Sequence, residues 1–243
     1  GSISLLITGD EEGDAVNGTK KVVEYLKKKK EKINFCLVGE PTNPNRLGEM
    51  IKIGRRGSLT GKLTIIGLQG HVAYPQRANN PSTIIVKTLK DLKEIKFDKG
   101  TKDFQPTNLE VTKININNSA DNVIPATAEA TFNIRFNDKH SSKSIKKKLN
   151  KIFNRISKKS KSKFQIDYRV SGEAFLTKPN KTTFMIQSII KKITKIKPKL
   201  STTGGTSDLR FIREISPGLE FGLVGKTMHK VDEAVSLKDL KNL

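Results

Sequence analysis

Gly54-Arg55-Arg56-Gly57-Ser58-Leu59-Thr60-Gly61-Lys62-Leu63-Thr64-Ile65-Ile66 is the stretch at which the periodicity of this 243-residue chain changes. From Leu59 onward the apolar and small side chains fall on every second residue (Leu59, Gly61, Leu63, Ile65). A period of two fits a strand with one face buried. Beyond it, Pro81 to Ile95 reads as an amphipathic helix capped by Asn80. Leu109 to Ile116 and Ala126 to Phe136 alternate again, Ser142 to Ile156 is a very basic helix, and Phe164 to Val170 is a last alternating strand. The order βαββαβ predicts a ferredoxin-like α+β unit over residues 57–172, one antiparallel sheet with two helices on one face. His140, just before the second helix, reads as a solvated residue.

Outward from this unit the pattern is different. Ser2 to Ile7 is apolar and β-like, and residues 16–31 follow with helical spacing, Val16, Val22, Val23 and Leu26 facing inward. Ile33 to Val38 and Glu49 to Ile53 read as two further buried strands. Strand, helix, strand argues for an α/β layer. Helical spacing returns after Pro179 (Phe184, Ile186, Ile189, Ile190, Ile193), then come the turn-rich Thr202-Thr203-Gly204-Gly205-Thr206-Ser207-Asp208, a short helix and a strand over Leu219 to Val224. The expectation is an α/β domain made of residues 1–56 and 173–243, with 57–172 inserted into it. The chain starts inside a strand and stops in the helix-like pattern that begins at Ser236. It is therefore expected to be a fragment without its N-terminal part and last helix, inactive alone.

Composition sets bounds. The formal net charge is +22, which invites a nucleic-acid or other polyanion-binding reading. Against it, 37 of the 46 basic residues are Lys and nine are Arg, whereas phosphate and base recognition favour arginine forks. There is no Trp and only three Tyr, so stacking platforms are scarce. The lysine runs alternate with Ile and Asn, as in the product of an AT-rich genome, so no specific nucleic-acid partner is expected. No long apolar span and no leader pattern is visible, so no membrane partner is expected either. The single Cys36 cannot form an internal disulfide and reads as a small buried hydrophobe, which fits a reducing, cytoplasmic setting.

The chemistry converges on acids. Glu11 and Glu12 follow the apolar Leu5-Leu6-Ile7, Glu40 follows Ile33 to Val38, and His229 lies just past Leu219 to Val224. The ends of strands are where open α/β sheets bind ligands, and adjacent carboxylates repel unless a cation holds them. Carboxylates plus one imidazole suit Zn²⁺ or a related divalent ion. Two adjacent glutamates allow one to ligate and the other to accept a proton. Taken singly, the acid pair also fits a loop or helix cap, Glu40 a turn before Pro41, His229 a loop histidine and Arg135 a solvent-facing charge.

Seven segments appear in order: Thr8-Gly9-Asp10-Glu11-Glu12-Gly13, Val38-Gly39-Glu40-Pro41-Thr42, Gly54-Arg55-Arg56-Gly57-Ser58, Gly70-His71-Val72-Ala73-Tyr74-Pro75, Asn122-Val123-Ile124-Pro125-Ala126, Gly204-Gly205-Thr206-Ser207-Asp208 and Met228-His229-Lys230-Val231-Asp232-Glu233. Together they resemble the M20 family of co-catalytic metallopeptidases, over essentially the whole chain. The resemblance implies an aminopeptidase-like α/β catalytic domain with an inserted ferredoxin-like lid that dimerises. It implies two divalent metal ions, Zn²⁺ or Co²⁺ in its place, in the full-length protein. Glu11 would be the general base, Glu12 would ligate one metal and Glu40 the other, and His229 would complete the second site. His71 would stabilise the tetrahedral oxyanion. Arg55, Ser58, Tyr74, Asn122, Arg135 and Thr206 would hold the substrate's carboxylates and amide, a task for which the arginine fork is apt. The activity implied is hydrolysis of a small substrate with several carboxylates, N-succinyl-LL-2,6-diaminopimelate, to succinate and the free diamino acid, in bacterial lysine and diaminopimelate synthesis. Other M20 amidohydrolases, of the acetylornithine deacetylase or carboxypeptidase type, share the metal motifs. The family's His-x-Asp motif and its metal-bridging aspartate are not found in this sequence, and Asp121 and Gly225 depart from relatives at positions bearing on substrate recognition.

Overall fold

The computed structural model describes residues 1–205 and 207–243. The chain divides into two compact units, Gly1–Arg55 with Phe175–Leu243, and Arg56–Ala174. Elements are numbered along the chain.

The first unit holds α1 (Thr19–Lys29), β1 (Cys36–Val38), β2 (Met50–Lys52), β3 (Gly54–Arg55), β10 (Phe175–Leu176), α4 (Lys181–Thr194), β11 (Lys199–Ser201), α5 (Leu209–Ile212), β12 (Gly218–Glu220) and α6 (Leu237–Asn242). Four of its strands form a mixed sheet in the order β1-β12-β2-β11. The outer pairs are parallel, and β12 meets β2 antiparallel at the single pair Glu220–Lys52. Two small cores support it, one of Leu47, Ile51, Ile53, Ile190, Leu219 and Phe221, the other of Val23, Phe175, Leu209 and Ile212. α4 starts at a capping box in which Asn180 and Thr183 each bond the other's backbone. The segment Ser2–Ile7 is not the strand its composition suggests. It carries no secondary structure, and Ile3, Leu5 and Ile7 are 99, 85 and 84% exposed. An apolar run supplies propensity, but a strand needs a ladder partner, and none of the described strands pairs with it. Helix α1 is correspondingly shorter than the 16–31 spacing suggests: Val23 is buried, whereas Val16 lies before it and is exposed.

The second unit holds β4 (Gly57–Ile66), β5 (Gly70–His71), α2 (Pro81–Lys93), β6 (Asn108–Asn115), β7 (Val123–Ile124), β8 (Thr127–Phe136), α3 (Ser142–Ser160) and β9 (Lys163–Gly172). The long strands form an antiparallel sheet in the order β6-β8-β4-β9, the ferredoxin-like order that the alternation predicts. Asn80 caps α2 by accepting from the Ser82 amide at 2.9 Å, with Pro81 at the first helical position. A Ser141–Ser144 capping box starts α3. Ile84, Ile85, Leu89 and Leu92 of α2 and Ile145, Leu149 and Phe153 of α3 join Leu59, Leu63, Ile65, Phe132, Ile134 and Phe136 of the sheet in one continuous core. Two glycines make room for it. Gly57 and Gly61 pair with Phe136 and Phe132, and a Cβ on either would lie 2.2 or 2.3 Å from the facing ring.

His140 is not solvated. Its side chain is 19% exposed, and Nε2 lies 3.1 Å from Asp98 Oδ2. Asp98 also accepts from the Gly100 amide and from Asn137 Nδ2, both at 2.6 Å, so the loop after α2 is tied to the end of β8. Among the described residues, no helix is long and apolar enough to cross a membrane.

Candidate active site

In the first unit the acid pair sits in a turn before α1 rather than at a strand end. Asp10 shapes that turn. At φ +66° its Oδ2 accepts from the Val16 and Asn17 amides, both at 2.8 Å. These amide bonds hold its carboxyl below the ordinary range. The two glutamates that follow point to different surroundings. Glu11 is half-buried; burial first, then the charges of Glu12 and Asp208, push its carboxyl above the ordinary range against the pull of Arg210 and Arg55. Glu12 is exposed, with Oε1 4.0 Å from His229 Nε2. Glu40 follows β1 and is half-buried. Burial, then the charges of Glu11 and Glu220, push it to about 7, with Arg55 opposing.

Behind these carboxylates lies a frame that the sequence reading passed over. Glu220 of β12 accepts from Arg55 Nε at 2.8 Å and from Arg55 Nη2 on one oxygen, and from the Ser207 hydroxyl on the other. Asp208 accepts from the Thr19 hydroxyl, which ties the glycine loop to the start of α1. Lys52 donates to Thr203 Oγ1 at 2.7 Å, and burial first, then Arg55, lower its ammonium to about 8. The signal for Glu220 was present: it is a lone acid inside Leu219-Glu220-Phe221, and a buried strand carries a charge only when something pairs with it.

The remaining candidates lie in the second unit. His71 of β5 pairs with Val123 of β7, next to Asn122, whose carbonyl accepts from the Val72 amide at 3.0 Å. The Ala73 amide donates to His71 Nδ1 at 3.1 Å, so the ring's Nε2 is the nitrogen left to carry a proton outward. Tyr74 stacks 5.9 Å from His71 in a tilted arrangement, with the Arg77 guanidinium 5.3 Å over its ring. Ser58 and Arg135 face each other in the β4–β8 register. Arg56, also here, bonds Asn108 Oδ1 at 2.8 Å, and burial and the Arg135 charge lower its pKa. Thr206 lies outside the described residues.

Divalent metals are the group the sequence implies. The donor types fit: the Glu12–His229 pair offers a carboxylate and an imidazole side by side, and Glu40 stands among like charges that a cation would relieve. Among the described residues no three His, Cys, Asp or Glu side chains are gathered as one ligand set.

Residues 53–161 match the family model described as M20 peptidase dimerisation domain. The fold is that of solved M20 structures, including a metallo-carboxypeptidase from Sulfolobus solfataricus (TM-score 0.70, 16% identity, 96% of this chain and 66% of that one). A tripeptidase from Staphylococcus aureus gives a TM-score of 0.73 at 17% identity, over 93% of this chain and 58% of that one. In sequence the chain is similar to proteins named succinyl-diaminopimelate desuccinylase. It is 80% identical over 243 residues to that of Pelagibacter ubique (100% of this chain, 63% of the relative). It is 50% identical over 244 residues to that of Methylobacterium radiotolerans (100% and 62%). The chain thus spans under two thirds of the length of these relatives.

Proposed function

We propose that the complete protein is a homodimeric dimetal amidohydrolase that cleaves N-succinyl-LL-2,6-diaminopimelate to succinate and LL-diaminopimelate. The observation that supports the reading is the 80% identity, over 243 residues and the whole of this chain, to a protein named succinyl-diaminopimelate desuccinylase. The ions, zinc by preference, would be held by Glu12 with His229 and by Glu40, and would supply Lewis-acid polarisation of the amide. Glu11 accepts the proton of the attacking water and returns it to the leaving amine, a role suited to a carboxylate of raised basicity. His71, its Nδ1 already occupied, donates from Nε2 to the developing oxyanion. Arg55 and Arg135 receive carboxylates; between Arg56 and Arg135 an anion would also relieve the mutual repulsion of two guanidinium groups. Ser58, Tyr74, Asn122 and Thr206 complete the substrate contacts. The dimerisation domain is the contact between copies in this reading.

The test is release of free amine from N-succinyl-LL-2,6-diaminopimelate beside N-acetylornithine and a C-terminal peptide bond. Preference for either of the latter by kcat/KM would replace the substrate assignment. Sedimentation as a monomer would remove the dimer.

A further inference from the structure

Glu220 has no exposed surface, yet it is a carboxylate in mid-sheet. It is held on both oxygens, by Arg55 on one and by Ser207 on the other. Arg55 and Ser207 are buried as well. Lys52 stands directly opposite Glu220 in the β12–β2 pair and bonds Thr203. Thr203 and Ser207 are therefore both held by the same charged frame. Gly204 lies against Arg55: a Cβ on it would lie 2.3 Å from Arg55 Nη1, and Gly204 itself sits at φ +107°, where a side chain is strained. A buried ion pair is weak evidence for stability, since apolar residues of the same volume commonly do as well. What this one fixes is a direction. Nε and Nη2 of Arg55 are committed to Glu220, so the guanidinium cannot rotate, and Nη1 stays against the glycine loop.

We propose that Glu220 is a positioning residue: it locks the Arg55 guanidinium and the Ser207 end of the glycine loop into one rigid element, so that Arg55 Nη1 and the loop meet a substrate carboxylate in a preset geometry. This rests on the reading of Arg55 as a carboxylate binder. Holding a flexible guanidinium in its bound orientation removes an ordering cost from binding. A contact of equal strength in ground and transition states moves KM and leaves kcat.

In the complete protein, Glu220→Gln is expected to raise KM for the N-succinyl substrate about 10- to 100-fold with kcat within about threefold, because small misplacements of a binding group cost on this scale. An unchanged KM overturns the proposal, and so does a fall in kcat at fixed KM, which is what partial misfolding alone produces. Combined with Arg55→Lys, which keeps the charge and loses the fork, Glu220→Gln should add less than about threefold to the effect of Arg55→Lys alone; full additivity overturns action through Arg55. Nitrogen-15 spectra of the unsubstituted protein decide the matter should the variants not fold. The Arg55 Nε–H is expected to exchange slowly and to shift on addition of succinate alone. A fast-exchanging, succinate-insensitive Nε–H overturns the role. The slow, responsive signal without turnover supports the positioning and instead sinks the hydrolase reading.

Discussion

Gly61→Ala adds one methyl group at the point where β4 meets the Phe132 ring. The added Cβ would lie 2.3 Å from Phe132 Cζ, with two further ring carbons at 2.7 and 2.9 Å. Ordinary contact begins near 3.4 Å, so ring and strand must part by about 1.1 Å. Neither has room. Phe132 is fully buried and leans on Phe153, 6.4 Å away centroid to centroid, and β4 is an inner strand, hydrogen-bonded to β8 and β9 on its two sides. Overpacking of a well-filled core costs roughly 1–3 kcal/mol, against which the alanine regains at most ~1 kcal/mol of backbone entropy. A net loss of about 1–2 kcal/mol is expected. Urea unfolding read by circular dichroism measures it as a lower midpoint at unchanged slope. Phe132→Leu shortens the facing side chain, so Gly61→Ala combined with Phe132→Leu should cost less than the sum of the two single changes. A Gly61→Ala variant as stable as the parent, or strict additivity in the double variant, would show that the glycine is not there to seat the ring.

Two other outcomes follow from the sites. In the complete protein, on the proposed function, Glu11→Gln should keep its metal content and lose about 10²–10⁴-fold in turnover, whereas Glu12→Gln should lose one metal equivalent; metal analysis with the opposite result would exchange the two roles. Asp98 is held at about 2, from an ordinary 3.8, because hydrogen bonds from Thr107, Gly100 and Asn137 outweigh the upward push of burial. Its folded-state value is depressed, so the stability it contributes is complete above about pH 4 and is lost as pH falls toward 2. After allowance for solvent screening this is about 1–2 kcal/mol, and Asp98→Asn should abolish that part of the acid limb; parallel acid limbs for parent and variant would refute it.

The inserted unit was legible because its signal is local. Period-two strands bounded by helices leave one arrangement that buries Leu63, Phe132 and Phe153 together, and Asn80 marks the start of α2 in the sequence itself. The first unit was read less well, and the reason is physical. Leu5-Leu6-Ile7 has strand composition, but pairing is a property of neighbours, not of the run, and the run stays exposed. Glu11 and Glu40 could be picked out as acids just past apolar runs and Glu220 as a lone acid inside one, but the partners of Glu220 and Lys52 could not. These two residues act through contacts 165 and 151 residues away in sequence, to Arg55 and Thr203, and no spacing rule reaches that far. His140 was misread for the same reason: its partner Asp98 lies 42 residues upstream.

The placement of the acids also separates chance from purpose. The chain has 46 basic and 24 acidic residues, so a random surface would surround each carboxylate with lysine. Most of the lysines line the outer faces of helices such as α3, whose first turn contains no acid. Yet Asp208 stands close enough to raise the proton affinity of Glu11 and Glu40, and Glu220 that of Glu40, while Arg55 is bonded to Glu220. Like charges gathered in a basic chain oppose folding unless a cation offsets them. Arg55 supplies that cation for Glu220, and under the proposed function divalent ions would supply it for Glu40. The surplus of positive charge outside this cluster would meanwhile draw a polycarboxylate substrate toward the protein. On the proposed reading the two charge populations would serve one reaction, the lysines by attraction at long range, and Glu40, with Glu12 and His229, by holding the ions that act on the amide.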